Sequence, residues 1–71
     1  MRFMDVAREQ GLPVKMLYSV REVACVTGMS EFGVRKAVRE GELRSKSSGQ
    51  RVLMEPEWVD AWLARKEGAA R

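Results

Sequence analysis

Positively charged side chains are concentrated between residues 35 and 51 of the chain. This stretch has six arginine and lysine residues against two glutamates, an excess of four positive charges. Residues 1–34 are balanced at four against four, and residues 52–71 have three against four. Guanidinium and ammonium groups concentrated in this way can neutralise the phosphates of a nucleic acid. The spacing therefore predicts a phosphate-binding surface, and an ordinary solvated charged face is the alternative interpretation.

The residue types needed for catalysis or metal binding are scarce. The chain has no histidine and one cysteine, Cys25, so it offers no imidazole base and no cysteine-rich zinc site. It has no glycine-rich phosphate loop and no paired arrangement of acidic residues. We therefore expect neither an enzyme nor a bound cofactor or metal.

The composition is that of one small folded domain. Hydrophobic residues make up 45% and charged residues 32% of the 71, which is ordinary for globular proteins. No apolar run approaches the roughly 18 residues that a membrane span needs. Asp5 and Glu9 lie where a signal peptide would be apolar, and Cys25 has no partner for an internal disulfide. We expect a cytoplasmic protein with no membrane partner.

A first helix of the central region is predicted over residues 20–27. Ser19 and Glu22 match the S-x-x-E capping box, which satisfies free amides at a helix start. Gly28 suits the left-handed residue that ends such a helix. The helical spacing directs Cys25 away from the buried face and toward solvent.

A second helix is predicted to begin after a three-residue turn and to end at Gly41. Ser30 is a good N-cap for it. Its helical wheel separates two faces. The face predicted to be buried is apolar and consists of Val34, Ala37 and Val38. The opposite face has one aromatic and three cationic side chains, Phe32, Arg35, Lys36 and Arg39.

A β-hairpin follows, with predicted strands over residues 43–47 and 50–54. The tight turn is placed at Ser48-Gly49, and Lys46 and Arg51 flank the tip. This order of elements predicts a mainly α fold with a small β-hairpin, a winged helix-turn-helix. Such a fold commonly places its second helix in the DNA major groove. A hairpin with no binding role is the alternative interpretation.

The two ends of the chain are predicted to be simpler. Residues 1–17 are interpreted as an N-terminal extension with a short helix ending at Gly11, and residues 14–18 as an extended segment, an edge strand. Pro56 fits the first turn of a last helix. Its inner face consists of Val59, Trp62, Leu63 and the aliphatic part of Lys66. The domain is expected to span 18–67, with 68–71 as a short tail.

The region from Tyr18 to Leu63 resembles the excisionase-family DNA-binding domain, a compact winged helix-turn-helix related to the MerR-like fold. The resemblance covers about two thirds of the chain and lies in an ordered set of short motifs. These are Ser19-Val20-Arg21-Glu22-Val23-Ala24, Gly28-Met29-Ser30, the run from Val34 to Leu43, Gly49, Arg51, and Val59-Asp60-Ala61-Trp62-Leu63.

The resemblance implies a recombination directionality factor or a small transcriptional regulator of a mobile element. It also implies an integrase or recombinase as a partner. The start of the second helix departs from the family, which often has a basic or hydroxyl residue where this chain has Glu31, Phe32 and Gly33. The base preference expected from the family is therefore not carried over.

Double-stranded DNA is the predicted partner, contacted by the second helix and the hairpin. Because so small a surface gives modest affinity alone, we expect cooperative binding to repeated sites, self-association on DNA and DNA bending. The predicted contact residues are Ser30, Glu31, Phe32, Arg35, Lys36, Arg39, Lys46, Ser47, Ser48, Gln50 and Arg51. The alternative function is a protein-interaction module on the same scaffold, with Phe32 and Trp58 as exposed anchors.

Overall fold

Four helices and a three-stranded antiparallel sheet make up residues 2–69, the part of the chain that the computed structural model describes, with side chains described for residues 2–66. The prediction of a mainly α protein with a small β component is confirmed. None of the helices in this part of the chain combines the length and the apolar character needed to cross a membrane. In chain order the elements are α1 (Phe3–Glu9), β1 (Tyr18–Ser19), α2 (Val20–Thr27), α3 (Glu31–Arg39), β2 (Lys46–Ser48), β3 (Arg51–Met54) and α4 (Pro56–Ala69).

The start of α2 is fixed by the predicted capping box. The Glu22 amide donates to the Ser19 hydroxyl over 3.2 Å, and the Ser19 amide donates to the Glu22 carboxylate over 3.0 Å. These bonds satisfy amides that a helix cannot satisfy internally. Lys15 adds an ion pair, with 2.7 Å between its Nζ and Glu22 Oε2.

The joint between α2 and α3 is a short turn held by hydrogen bonds to both helices. Gly28 has the predicted left-handed conformation, with φ of 78°, and its amide donates to the Ala24 carbonyl. The Thr27 hydroxyl donates to the Val23 carbonyl over 2.8 Å and accepts from the Met29 amide. Ser30 then caps α3 by accepting from the Gly33 amide over 3.0 Å. The joint is therefore defined by local bonds, as the sequence predicts.

The turn after α3 corrects the predicted extent of the hairpin. Gly41 has φ of 78° and its amide donates to the Val38 carbonyl, while the Glu42 amide donates to the Ala37 carbonyl. This is a Schellman motif, in which a glycine without a Cβ takes the left-handed position. Leu43 follows it and is buried in the core, so the first strand begins at Lys46 and not at residue 43.

The sheet has the order β1-β3-β2, with β3 in the centre. Ser48 pairs with Arg51, so the tight turn consists of Gly49 and Gln50 and not of Ser48 and Gly49. Gly49 has φ of 63° and Gln50 does not have a positive φ. A positive φ at the first turn position alone is typical of the type II′ turn, which favours glycine there. On the other side of β3, Ser19 pairs with Leu53. β1 is an edge strand, but it covers Tyr18 and Ser19, so of the predicted residues 14–18 only Tyr18 belongs to it.

The first helix belongs to the common core, although residues 1–17 were interpreted as an extension. Phe3 and Ala7 are buried, and α1 packs on α4 and α2. The Phe3 amide donates to the Asp60 carboxylate over 2.7 Å, which fixes the start of α1 against α4. The Phe3 ring also packs edge-on against Tyr18, with 4.9 Å between the ring centroids.

The core draws side chains from every helix and from the sheet. On α4 the predicted inner face is confirmed at Val59 and Trp62, which are buried, whereas Leu63 is half-buried and Lys66 is exposed. The helix continues to Ala69, two residues into the predicted tail, and residues 70–71 lie outside the described residues. The buried set is Phe3, Ala7, Tyr18, Val20, Val23, Ala24, Val26, Val34, Ala37, Leu43, Met54, Val59 and Trp62.

Removing the Phe3 ring tests whether α1 is structural. Because Phe3 is 3% exposed, we expect Phe3→Ala to lower the free energy of unfolding by about 3–5 kcal/mol. Phe3→Leu should cost less than Phe3→Ala, because it retains much of the buried apolar volume. Urea denaturation measures both. Met16→Ala, at a side chain that is 82% exposed, is the control, and an equally small effect of Phe3→Ala would show that the first helix is dispensable.

The Glu22 carboxylate gives the fold a defined pH dependence. Its partial burial raises the pKa, but the hydrogen bond from Lys15, the Ser19 amide and the Lys15 charge outweigh burial, so the pKa lies below its ordinary value. A carboxyl whose pKa is lower in the folded state stabilises the fold above its unfolded pKa. That contribution is lost as the pH falls through the folded value.

We expect Glu22→Gln to destabilise the protein at about pH 7 by up to about 1 kcal/mol, with the difference vanishing at about pH 3. Glutamine can still accept in a capping box, so the comparison isolates the charge. Urea denaturation at the two pH values measures the effect. Glu9→Gln, at an exposed position on α1, is the control. A Glu22→Gln deficit that persists at low pH would contradict the assignment to the ionised carboxylate.

Candidate nucleic-acid interface

All eleven predicted contact residues are exposed. They lie on α3 and its N-cap, on β2, in the hairpin turn and at the first position of β3. On α3 the exposed face is set by the buried one, because Val34 is completely buried and Ala37 is 5% exposed. Helical spacing then places Arg35, Lys36 and Arg39 at the surface.

Arg35 joins α3 to the hairpin. It lines two neighbouring clefts, one shared with Arg51 and the other with Arg39, and Val52 of β3 lines both. The first cleft, called the arginine cleft below, has a volume of about 320 Å³. Its lining residues are Ser19, Val20, Arg21, Glu31, Arg35, Gln50, Arg51 and Val52. Four predicted contact residues from α3 and the hairpin therefore meet at one place.

Lys36 lies on the opposite flank of α3. It lines a depression between α3 and α4 together with Trp62 and Lys66. The Lys66 ammonium lies 5.8 Å from the centroid of the Trp62 ring. The cationic face predicted from the helical wheel is thus divided, with Arg35 and Arg39 toward the hairpin and Lys36 toward α4.

Phe32 lies apart from these clefts and depressions. Its side chain is 70% exposed. It occupies the first turn of α3, after Ser30 and Glu31. An aromatic ring this exposed on a small domain is available to contact a partner surface.

Gly33 has a structural role beneath the Ser30 cap. Its amide donates to Ser30 Oγ, and a Cβ at this position would lie 3.2 Å from the same oxygen. A larger residue would therefore press on the hydroxyl that caps α3. The close approach of Ser30 Oγ therefore favours a glycine at this point of the helix.

The remaining predicted residues lie along the outer strand of the hairpin. Lys46, Ser47 and Ser48 form β2, which is the edge strand next to β3, and all three are exposed. They do not line the arginine cleft. Their ammonium and hydroxyl groups lie along one strand, where they can contact an extended polyanion backbone.

The cations of this surface have no ion-pair partner among the side chains that the structure describes. Among the side chains described for residues 2–66, the ion pair present is that of Lys15 with Glu22. The same side chains include no hydrogen-bond partner for the head groups of Arg35, Lys36, Arg39, Lys46 or Arg51. The charges are consequently free to attract an external anion.

Arg44 differs from the other cations in the basic stretch. Its guanidinium lies 5.2 Å from the centroid of the Trp58 ring, a cation–π arrangement. Trp58 is half-buried and packs against the core. It therefore is not the freely exposed anchor that the alternative function requires.

Arg21 also belongs to this surface, although it is not among the contact residues predicted from the sequence. It is exposed in the first turn of α2 and lines the arginine cleft. Its local sequence gave no signal, because residues 1–34 are balanced in charge. Only the folding of α2 against α3 and the hairpin places it beside Arg35 and Arg51.

Comparison with known proteins gives no assignment for the chain. No family model, no curated protein and no solved structure matches it. A function has to be inferred from the surface residues themselves.

Proposed function

We propose that the protein is a small DNA-binding protein that acts as a winged helix-turn-helix. In this proposal α3 enters the major groove, and the β2–β3 hairpin lies on the adjacent phosphate backbone or minor groove. The observation that carries it is the continuous surface on which Arg35, Arg39 and Arg51 line adjoining clefts without an ion-pair partner among the described side chains.

The dimensions of DNA support this arrangement. The major groove is about 12 Å wide and admits one α-helix, whose two flanks then face the two phosphate backbones. The flank of α3 toward the hairpin is cationic, with Arg35 and Arg39, whereas on the other flank Lys36 and Lys66 lie with Glu40 and Glu42. Phe32 and Glu31 occupy the first turn of α3, the end that usually meets base edges. Glu31 can accept from a cytosine amino group, and Phe32 can contact a thymine methyl group.

The biological role within this proposal comes from the resemblance to excisionases. It would be the control of recombination direction or of transcription in a mobile element, with an integrase as partner and self-association on neighbouring DNA sites. A cytoplasmic location belongs to the same proposal. Footprinting with and without the integrase encoded nearest to the gene would separate the two roles, because only excision control requires a joint footprint.

Removal of Arg35 and Arg39 tests the DNA-binding proposal. We expect the Arg35→Ala/Arg39→Ala variant to bind duplex DNA about ten- to a hundredfold more weakly than the unmodified protein. The slope of log affinity against log salt should also become shallower, because fewer counterions are released. Fluorescence anisotropy with a labelled duplex, selected by the protein from a random-sequence pool, measures both quantities between about 50 and 200 mM salt.

The matched control for this experiment is Arg2→Ala/Arg8→Ala. It removes the same charge from exposed positions at α1, neither of which lines the clefts beside α3. Circular dichroism establishes that both variants are folded. Affinity that does not change with salt, or an equal effect of the two double variants, would overturn the proposal.

A protein-interaction module is the second candidate, and the exposure of Phe32 favours it. If Phe32 is an anchor for a protein, Phe32→Ser should abolish capture of that partner while leaving salt-dependent DNA affinity within about twofold of the unmodified protein. If Phe32 contacts DNA, the same variant should instead lose about 1–3 kcal/mol of preference for the selected duplex over a scrambled one. Measurement of both duplexes by anisotropy distinguishes the two candidates.

A further inference from the structure

Three arginines from three different elements lie around the arginine cleft. Arg21 belongs to the first turn of α2, Arg35 to the middle of α3, and Arg51 to the start of β3. All three are exposed, and none has an ion-pair partner among the side chains described for residues 2–66. Glu31 is the one carboxylate among the lining residues, so the cleft retains a net charge of plus two.

Such a grouping favours a small anion at its centre. The three positive charges repel one another, and an anion placed between them is attracted to all three and offsets this repulsion. Guanidinium groups also match the geometry of phosphate oxygens and bind them through paired hydrogen bonds. The cleft volume of about 320 Å³ leaves room for one tetrahedral phosphate group.

The start of α2 adds an independent contribution at the same place. Ser19 and Val20, the N-cap and the first residue of this eight-residue helix, line the cleft. The capping box satisfies the Glu22 amide, whereas the amides of the two residues before it belong to the set that a helix leaves without internal partners. The positive end of a helix dipole favours a phosphate, and at this end the Glu22 carboxylate accepts from the Ser19 amide.

We infer that the arginine cleft is the seat of a single DNA phosphodiester, held jointly by Arg21, Arg35 and Arg51. This inference rests on the proposed function and sharpens it. It assigns Arg35 and Arg51 to the same phosphate, and it adds α2 to the elements that contact DNA. The seat fixes the spacing between α3 and the hairpin on the duplex, because one phosphate is bound by both.

The number of phosphates shared by the three arginines can be measured. Each neutralised phosphate of duplex DNA contributes about 0.9 to the slope of log affinity against log salt. We expect Arg21→Gln/Arg35→Gln/Arg51→Gln to reduce the slope by about one, whereas three separate contacts would reduce it by about three. The probe is a labelled duplex of mixed sequence, which suffices because backbone contacts do not depend on sequence.

Single variants supply a second readout. Arg21→Gln should weaken binding about tenfold, and Arg21→Gln/Arg51→Gln should weaken it by less than the product of the two single effects, because both side chains hold one group. Arg8→Gln, at an exposed position on α1 outside the cleft, is the charge-matched control. Additive effects, or a slope reduced by about three, would overturn the shared seat.

Two further outcomes keep the inference separate from the proposed function. If Arg35→Ala/Arg39→Ala loses salt-dependent binding but Arg21→Gln behaves as Arg8→Gln does, the seat is wrong and DNA binding stands. If the unmodified protein shows no salt-dependent binding, the proposed function itself fails. Inorganic phosphate should compete with the duplex more strongly than chloride does at the same ionic strength, because guanidinium groups that hold a phosphodiester also bind free phosphate. This excess should be absent in Arg21→Gln, and phosphate that competes no better than chloride would overturn the seat.

Discussion

The burial of Val34 and Ala37 against α2 is the interaction on which the exposed surface depends. Val34 is completely buried and Ala37 nearly so, and together they fix the rotation of α3 about its axis. The direction of the α3 cations follows from this rotation, because helical geometry then determines where Arg35, Lys36 and Arg39 emerge. If the apolar residues of α3 were spread around the helix, its rotation would not be fixed and the same cations would not share one exposed face.

Local chemistry made much of this fold predictable. The Ser19–Glu22 capping box, the Ser30 cap and the glycines after α2 and α3 involve residues within a few positions of one another, so their types alone indicate these helix ends. The hairpin was predicted less well, since Leu43 looks like a strand residue in isolation. Its amide instead donates to the Ala37 carbonyl in the turn that closes α3, and its side chain is buried in the core.

Long-range contacts were the part that the sequence could not supply. The hydrogen bond between the Phe3 amide and the Asp60 carboxylate joins residues 57 positions apart, and no local sequence pattern predicts it. The same holds for Arg21, whose importance comes from neighbours on α3 and β3 and not from its own segment. The exposure of the cations on α3 and the hairpin is predictable, because helical and strand periodicities separate buried positions from exposed ones. Which side chains of different elements lie next to one another can be seen only in the folded chain.

Ser19 has two structural roles, and together they fix the position of α2 relative to the sheet. It is the last residue of β1, paired with Leu53 of the central strand, and it is also the N-cap of α2. Through this one residue the hairpin and the helix pair are joined by backbone pairing and capping bonds, without an intervening loop. The start of α2 is therefore held at a fixed spacing from the central strand, and a surface that contacts both would have to match that spacing.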